Sequence, residues 1–298
     1  MGRILVTGAS GFLGRHLTPV LSARHEIFVL ARAIPSDTGN SNISWILQDL
    51  LQPLDPARLP ESIDTIIYLA QSRFHRQFPE KAADIFDVNV RGVFNLLEYG
   101  RQAGCKLFID GASGGVYEYG ARGLSETDRV SPANFFLGSK YCGELLVAGY
   151  QSFFTTIVLR FFFLYGPGQE GMLIPILLRK VLHEEPITIE NRPGLRINPI
   201  YVDDAVRAVE AALDLSSSSL INIAGDEVIS ITDLVALMEE TTGRRVKLQY
   251  RAAENRGDLI GDNARMKQEL KISPRVTLRE GLTRILGQIS DFELASQP

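Results

Sequence analysis

Little in this chain suits a metal, a disulfide or a membrane. It has two cysteines, Cys105 and Cys142, without metal-ligand spacing. A disulfide framework is implausible, and a reducing cytoplasm is the expected compartment. The four histidines, His16, His25, His75 and His183, stand apart and read as surface or helix residues with no catalytic role. No metal site is expected. No apolar run reaches the roughly 18 residues that span a bilayer. The longest, Thr156 to Tyr165, is interrupted by Arg160 and runs into Gly166-Pro167. A strand pattern begins almost at Met1, so no signal peptide is expected. Neither sign of charge dominates: the net charge is −4, and Arg and Lys are scattered. Nothing in this charge distribution would attract a nucleic acid or a membrane surface, and neither is an expected partner. What remains, 45% hydrophobic and 22% charged over 298 residues, suits one large domain or two unequal ones.

The strongest positive signal starts at Arg3. Ile4-Leu5-Val6-Thr7 is an apolar strand that runs into Gly8, Gly11 and Gly14, and an amphipathic stretch from Arg15 to Ser22 follows. A strand, a glycine turn and a helix in this order bind a diphosphate at the helix N-terminus. Gly8 allows the sharp turn, Gly11 admits the phosphate, and Gly14 lets helix and strand pack closely.

Strands and helices alternate through the first half. Strand candidates are Ile4–Thr7, Ile27–Leu30, Ser44–Leu47, Thr65–Leu69, Lys106–Asp110 and Thr156–Phe161, with helical patterns over Pro79–Ala103 and Asn134–Tyr150. Alternation of nearly continuous apolar strands with helices predicts a doubly wound parallel α/β sheet. After Tyr165 the pattern changes. The segment Gln169 to Arg196 reads as a helix, a short strand (Ile187–Glu190) and a turn. A helix from Asp203-Asp204 to about Asp214 and a strand at Leu220–Ala224 follow, and the remaining residues read as mostly helical. The expected division is a dinucleotide-binding Rossmann domain, 1–165 plus about 200–225, interleaved with a smaller substrate domain, about 166–199 plus 226–298.

The second strand reads Ile27-Phe28-Val29-Leu30-Ala31-Arg32. An acidic residue there would favour the ribose hydroxyls of NAD. Arginine instead suits a 2′-phosphate, so NADP is the preferred cofactor and NAD the other option. Asp49, after the third strand, is placed to accept from the adenine amine, and Asp after a strand is also a common turn residue.

At this point the chain resembles the extended short-chain dehydrogenase/reductases, the NAD-dependent epimerase/dehydratase family. The resemblance rests on Thr7 to Gly14, Asn89-Val90-Arg91-Gly92, Ser113 with Val116-Tyr117, Ser139-Lys140 with Glu144, Leu159-Arg160, Tyr165-Gly166-Pro167-Gly168 and Tyr201-Val202-Asp203-Asp204. It implies a nucleotide-sugar substrate, a homodimer through the helices near 89–103 and 135–150, and hydride exchange with a nicotinamide. It also implies a cofactor set: Gly8, Ser10, Gly11, Phe12, Leu13, Gly14, Arg32, Asp49, Leu50, Leu69, Ala70, Asn89 and Lys140.

In the family a tyrosine moves a hydroxyl proton, a lysine four residues later assists it and holds ribose, and a serine binds the reacting oxygen. Lys140 and Ser113 match. The tyrosine position is Phe136, which has no hydroxyl. Three readings are open. Another group supplies the proton, with Tyr117 the leading candidate and Ser113 or a water on Lys140 behind it; Tyr141 lies about 140° around the helix from Phe136. Alternatively, the protein binds cofactor silently, as a sensor or scaffold. Or the substrate needs no tyrosine.

Other positions depart from the family too. Gly114-Gly115 replace the Asp-Glu of the dehydratases, which argues against 4,6-dehydration. Phe163 replaces an asparagine that touches the substrate diphosphate, giving a more apolar pocket, so the expected substrate is a nucleotide sugar or a related, smaller or less charged keto or hydroxy compound. Arg196 matches a phosphate-holding arginine, and Arg256 stands one step from another. Phe136, Phe163, Arg196 and Arg256 form the expected substrate set. Asp203 and Asp204 read as helix-start carboxylates rather than catalysts.

Overall fold

A computed structural model describes residues 2–36, 40–254 and 257–295. In chain order the elements are β1 (Arg3–Thr7), α1 (Phe12–Ser22), β2 (Glu26–Ala31), β3 (Ile43–Leu47), β4 (Thr65–Tyr68), α2 (Ala82–Phe86), α3 (Gly92–Gln102) and β5 (Leu107–Ser113). Then come α4 (Phe135–Gly149), β6 (Thr155–Phe161), α5 (Leu173–Leu182), β7 (Ile187–Glu190), β8 (Arg196–Ile197), α6 (Val202–Ala212) and β9 (Ser219–Ile223). The last are β10 (Ile229–Ser230), α7 (Ile231–Thr242), β11 (Leu248–Arg251), α8 (Ala264–Glu269) and α9 (Leu278–Ala295).

Seven strands form one parallel sheet in the order β3-β2-β1-β4-β5-β6-β9. Alternate residues of each strand feed opposite faces. Ile4 and Val6 join a core with Leu17 of α1 and Val209 of α6, while Leu5 joins a second core with Leu96 of α3 and Val147 of α4. Both faces are covered, as the continuous apolar strands require. The strand order reverses between β1 and β4. In such sheets ligands bind outside the carboxyl ends of the strands at that switch point.

Small elements flank the sheet. β7 pairs with β11 in parallel and β8 with β10 antiparallel. The first core continues from the sheet into Leu177 of α5, Val235 of α7 and Leu282 of α9. Asn198 is buried and stitches distant segments together, donating to the Gly225 and Gly261 carbonyls and accepting from Gly261 N.

The helical pattern over 79–103 is interrupted. A wide π turn occupies Asp87–Arg91 between α2 and α3. The Tyr68 hydroxyl donates to the Val88 carbonyl at 2.5 Å, and a Cβ at Gly92 would lie 2.4 Å from that hydroxyl. The buried phenol therefore occupies the helix's flank and widens the turn. The strands β8, β10 and β11 have no counterpart in the sequence pattern; two are only two residues long, too short to show alternation.

Candidate active site

The glycine turn lies at the switch point. Gly8 has φ +70, and a Cβ there would stand 2.7 Å from Ala70 N, at the end of β4. A Cβ on Gly14 would fall 2.2 Å from the Gly8 carbonyl oxygen. Gly11 precedes α1, and no side chain caps its N–H groups. Free N–H groups and the helix dipole at a cradle with no room for side chains fit a dinucleotide diphosphate. Ser10 is exposed beside the turn, Phe12 is half-buried, and Leu13 is buried under α1. Thr7 Oγ1 accepts from both Leu69 N and Ala70 N, each at 3.2 Å, locking the ends of β1 and β4 together.

Arg32 is exposed immediately after β2. Asp49 follows β3, and its Oδ1 accepts from Leu51 N at 3.1 Å, so one oxygen holds the turn; Leu50 is packed against the second core. Asn89 is buried and bridges two elements. Its Oδ1 accepts from Ser72 N at 3.0 Å, and its Nδ2 donates to Ser139 Oγ at 2.9 Å. It thereby fixes the loop after β4 against the first turn of α4.

Ser113 ends β5, and its Oγ accepts from Gly115 N at 3.1 Å. Lys140 is buried on α4 and donates to the Gly111 carbonyl at 2.7 Å. α4 packs on β5, so both residues meet at the carboxyl end of that strand. The neighbouring Asp110 is fully buried, and its Oδ1 has no hydrogen-bond partner. Burial pushes its carboxyl above the ordinary aspartate range, and the Lys140 ammonium opposes the rise.

Tyr117 requires a correction. Its ring is 1% exposed, stacked near Phe162 and under the Arg160 guanidinium, and its hydroxyl donates to Asn222 Oδ1 at 2.9 Å. Burial pushes that phenol up, partly opposed by Arg160. The hydroxyl expected to be free for proton transfer is thus buried and already committed to Asn222. Phe136 is half-buried in the first turn of α4, and its carbonyl accepts from Ser139 Oγ. Its ring packs against His75, with centroids 5.7 Å apart. His75 is neither a surface nor a helix residue. It sits partly buried on the loop after β4, and no sequence spacing links it to Phe136.

On the substrate side, Phe163 has φ +43, a left-handed conformation that asparagine tolerates better than phenylalanine. Arg196 is paired with Asp258, which accepts from its Nε at 2.8 Å and from its backbone N at 2.9 Å. Its charge is thus already largely matched. Arg256 lies outside the described residues. Asp204 is structural, yet it does not cap its own helix: it accepts from Arg207 and from the backbone of Arg275 and Val276. Asp203 pairs with Arg284. Among the described residues no cluster of His, Cys, Asp or Glu could hold a metal ion, and no helix is long and apolar enough to cross a membrane.

Known proteins are similar to this chain in sequence and in fold. An uncharacterized UDP-glucose epimerase, YtcB of Bacillus subtilis, is 28% identical over 97% of this chain and 98% of its own. A UDP-glucuronate 4-epimerase of Thermodesulfobacterium geofontis is 26% identical, with 95% of each covered. Among solved structures, a tyrosine-to-phenylalanine variant of the UDP-glucuronic acid 4-epimerase of Bacillus cereus, bound to UDP-4-deoxy-4-fluoro-glucuronic acid and NAD, superposes with a TM-score of 0.86. It is 26% identical, covering 97% of this chain and 99% of that one. The profile of the NAD dependent epimerase/dehydratase family matches residues 4–224, from the first strand through the seventh. On that match, and on a fold and glycine turn that agree with it, the chain belongs to the NAD dependent epimerase/dehydratase family.

Proposed function

We propose that the protein is a nicotinamide-dependent epimerase or reductase acting on a nucleotide sugar. The observation that carries this reading is that three features lie at the carboxyl ends of the central strands: the uncapped glycine turn after β1, and Ser113 with the buried Lys140 at the end of β5. The turn would hold the diphosphate of the dinucleotide, Asp49 the adenine amine, and Lys140 the nicotinamide ribose. When bound, that cofactor supplies hydride transfer. Ser113 would hydrogen-bond the reacting sugar oxygen. Residues 166–199 and 226–298 would form the substrate side, with Phe163 giving it an apolar wall. Arg196 would reach the substrate diphosphate only by sharing its charge with Asp258.

Arg32, exposed at the end of β2, favours NADP; the related structures hold NAD, which the same cradle also accommodates. A homodimer through α3 and α4 is supported by the exposure of Phe94 and Leu145 on those helices. Two free cysteines fit a reducing cytoplasm.

A panel of UDP- and dTDP-sugars, incubated with the protein and NAD or NADP and resolved by mass spectrometry and chromatography, tests the reading. A converted sugar is expected. Cofactor binding with no conversion of any sugar would instead support a silent cofactor-binding module, the reading that the absent Phe136 hydroxyl favours.

A further inference from the structure

An epimerase or reductase must move a hydroxyl proton, and the usual group is missing at Phe136. The imidazole of His75 packs against that ring, with the ring planes inclined at 60°.

The two rings are held in register by one chain of hydrogen bonds. Ser72 anchors the His75 loop: its N donates to Asn89, its Oγ donates to Asp84 at 2.5 Å, and that Oγ accepts from Phe74 N. Asn89 passes to Ser139, and Ser139 to the Phe136 carbonyl at 2.7 Å. Loop and helix are thus fixed relative to each other beside the site.

His75 Nε2 is buried without a hydrogen-bond partner. For Nε2 to accept a proton, the neutral ring must carry its own proton on Nδ1 and keep its lone pair on Nε2. Burial, and then the Arg76 charge, hold the ring below the ordinary histidine range. On α4, Lys140 stands one turn beyond Phe136 and is bonded to Gly111. No carboxylate is among the groups that shift the ring. Buried polar atoms ordinarily have partners. A lone pair left without one, beside the position where the family places its proton carrier, is suited to a substrate hydroxyl.

We propose that His75 Nε2 is the proton acceptor and donor that replaces the missing tyrosine hydroxyl. The proposal rests on the nucleotide-sugar reading above. In the oxidising direction the sugar O–H bond breaks and its proton goes to Nε2. The C–H bond on the same carbon breaks, its hydride goes to an oxidised nicotinamide dinucleotide, and a carbonyl forms. The return step reverses each transfer. Nε2 is buried, so the side chains around it must shift to admit the hydroxyl.

The test uses the full chain with the sugar and cofactor that give the fastest turnover. His75→Gln lowers kcat by about 10²- to 10⁴-fold, with KM changed by less than about threefold. Imidazole added to His75→Ala restores part of the lost rate, which a packing role would not allow. Nitrogen-15 NMR finds the proton of the resting His75 ring on Nδ1, the signal being identified by its loss in His75→Gln. A kcat for His75→Gln within about threefold of the wild type overturns the assignment, as does an Nε2–H tautomer. Wild-type protein that converts no nucleotide sugar overturns the functional reading and His75 with it. Conversion by wild type and His75→Gln alike removes His75 alone.

Discussion

Glu144 on α4 grips Arg160 on β6 with both carboxylate oxygens, accepting from Nε at 3.1 Å and from Nη2 at 2.5 Å. Both side chains are buried. Glu144→Gln leaves the guanidinium without a counter-charge, and such a loss costs about 3–5 kcal/mol. Urea denaturation measures it. Replacing both by apolar residues, Arg160→Met with Glu144→Leu, is expected to cost less than the single change.

The glycine turn separates two kinds of glycine. Gly14→Ala would press a Cβ onto the Gly8 carbonyl, 2.2 Å away, where only backbone could yield. Loss of dinucleotide binding by calorimetry is expected, with about 1–3 kcal/mol of destabilisation from overpacking. Gly287 in α9 faces open space. Gly287→Ala is expected to stabilise by about 1 kcal/mol through helix propensity.

Arg32→Ala tests cofactor choice. If the guanidinium pairs with a 2′-phosphate, NADPH affinity falls about tenfold or more, roughly 1.4 kcal/mol, while NADH affinity holds. Fluorescence titration with both nucleotides reads the ratio.

Asp110 predicts a pH signature. Its folded-state carboxyl titrates above the ordinary range because it is buried. Such a group is most favourable to folding below its unfolded pKa, and that advantage is lost as pH rises through the folded value. Asp110→Asn, which is neutral at every pH, is therefore expected to raise the melting temperature at pH 7. The gain should shrink toward pH 4 in paired thermal melts.

Phe94 and Leu145 are each about half exposed on α3 and α4, at 44% and 55%. If they are buried between two copies, wild-type protein sediments as a dimer and Phe94→Glu as a monomer.

The fold was legible because its signals are local. Four apolar residues feeding three spaced glycines specify β1, the turn and α1 without help from elsewhere, and each parallel strand is a short continuous apolar run. Lys140 and Ser113 were equally visible, through motifs that keep fixed spacing. The rest depends on distance in space. Tyr117 looked available because it follows Ser113 closely, yet Asn222 on the seventh strand claims its hydroxyl. His75 looked isolated because Phe136 is far along the chain and they meet only when α4 docks beside the loop after β4. Asp204 sits at a helix start, but its partners arrive from residues 275 and 276. The π turn answers to Tyr68, which no helical periodicity contains.

The stitching around Asn222 also bears on synthesis. Asn222 N donates to Glu126 Oε1, its Nδ2 donates to the Leu124 carbonyl, and its Oδ1 accepts from the Tyr117 hydroxyl. A nascent chain shorter than about 219 residues would present β6 as an unpaired sheet edge, with the 117–126 loop unfastened. Co-translational folding of the first six strands would therefore pass through a species whose 117–126 loop is untied, until the seventh strand leaves the ribosome and Asn222 fastens it.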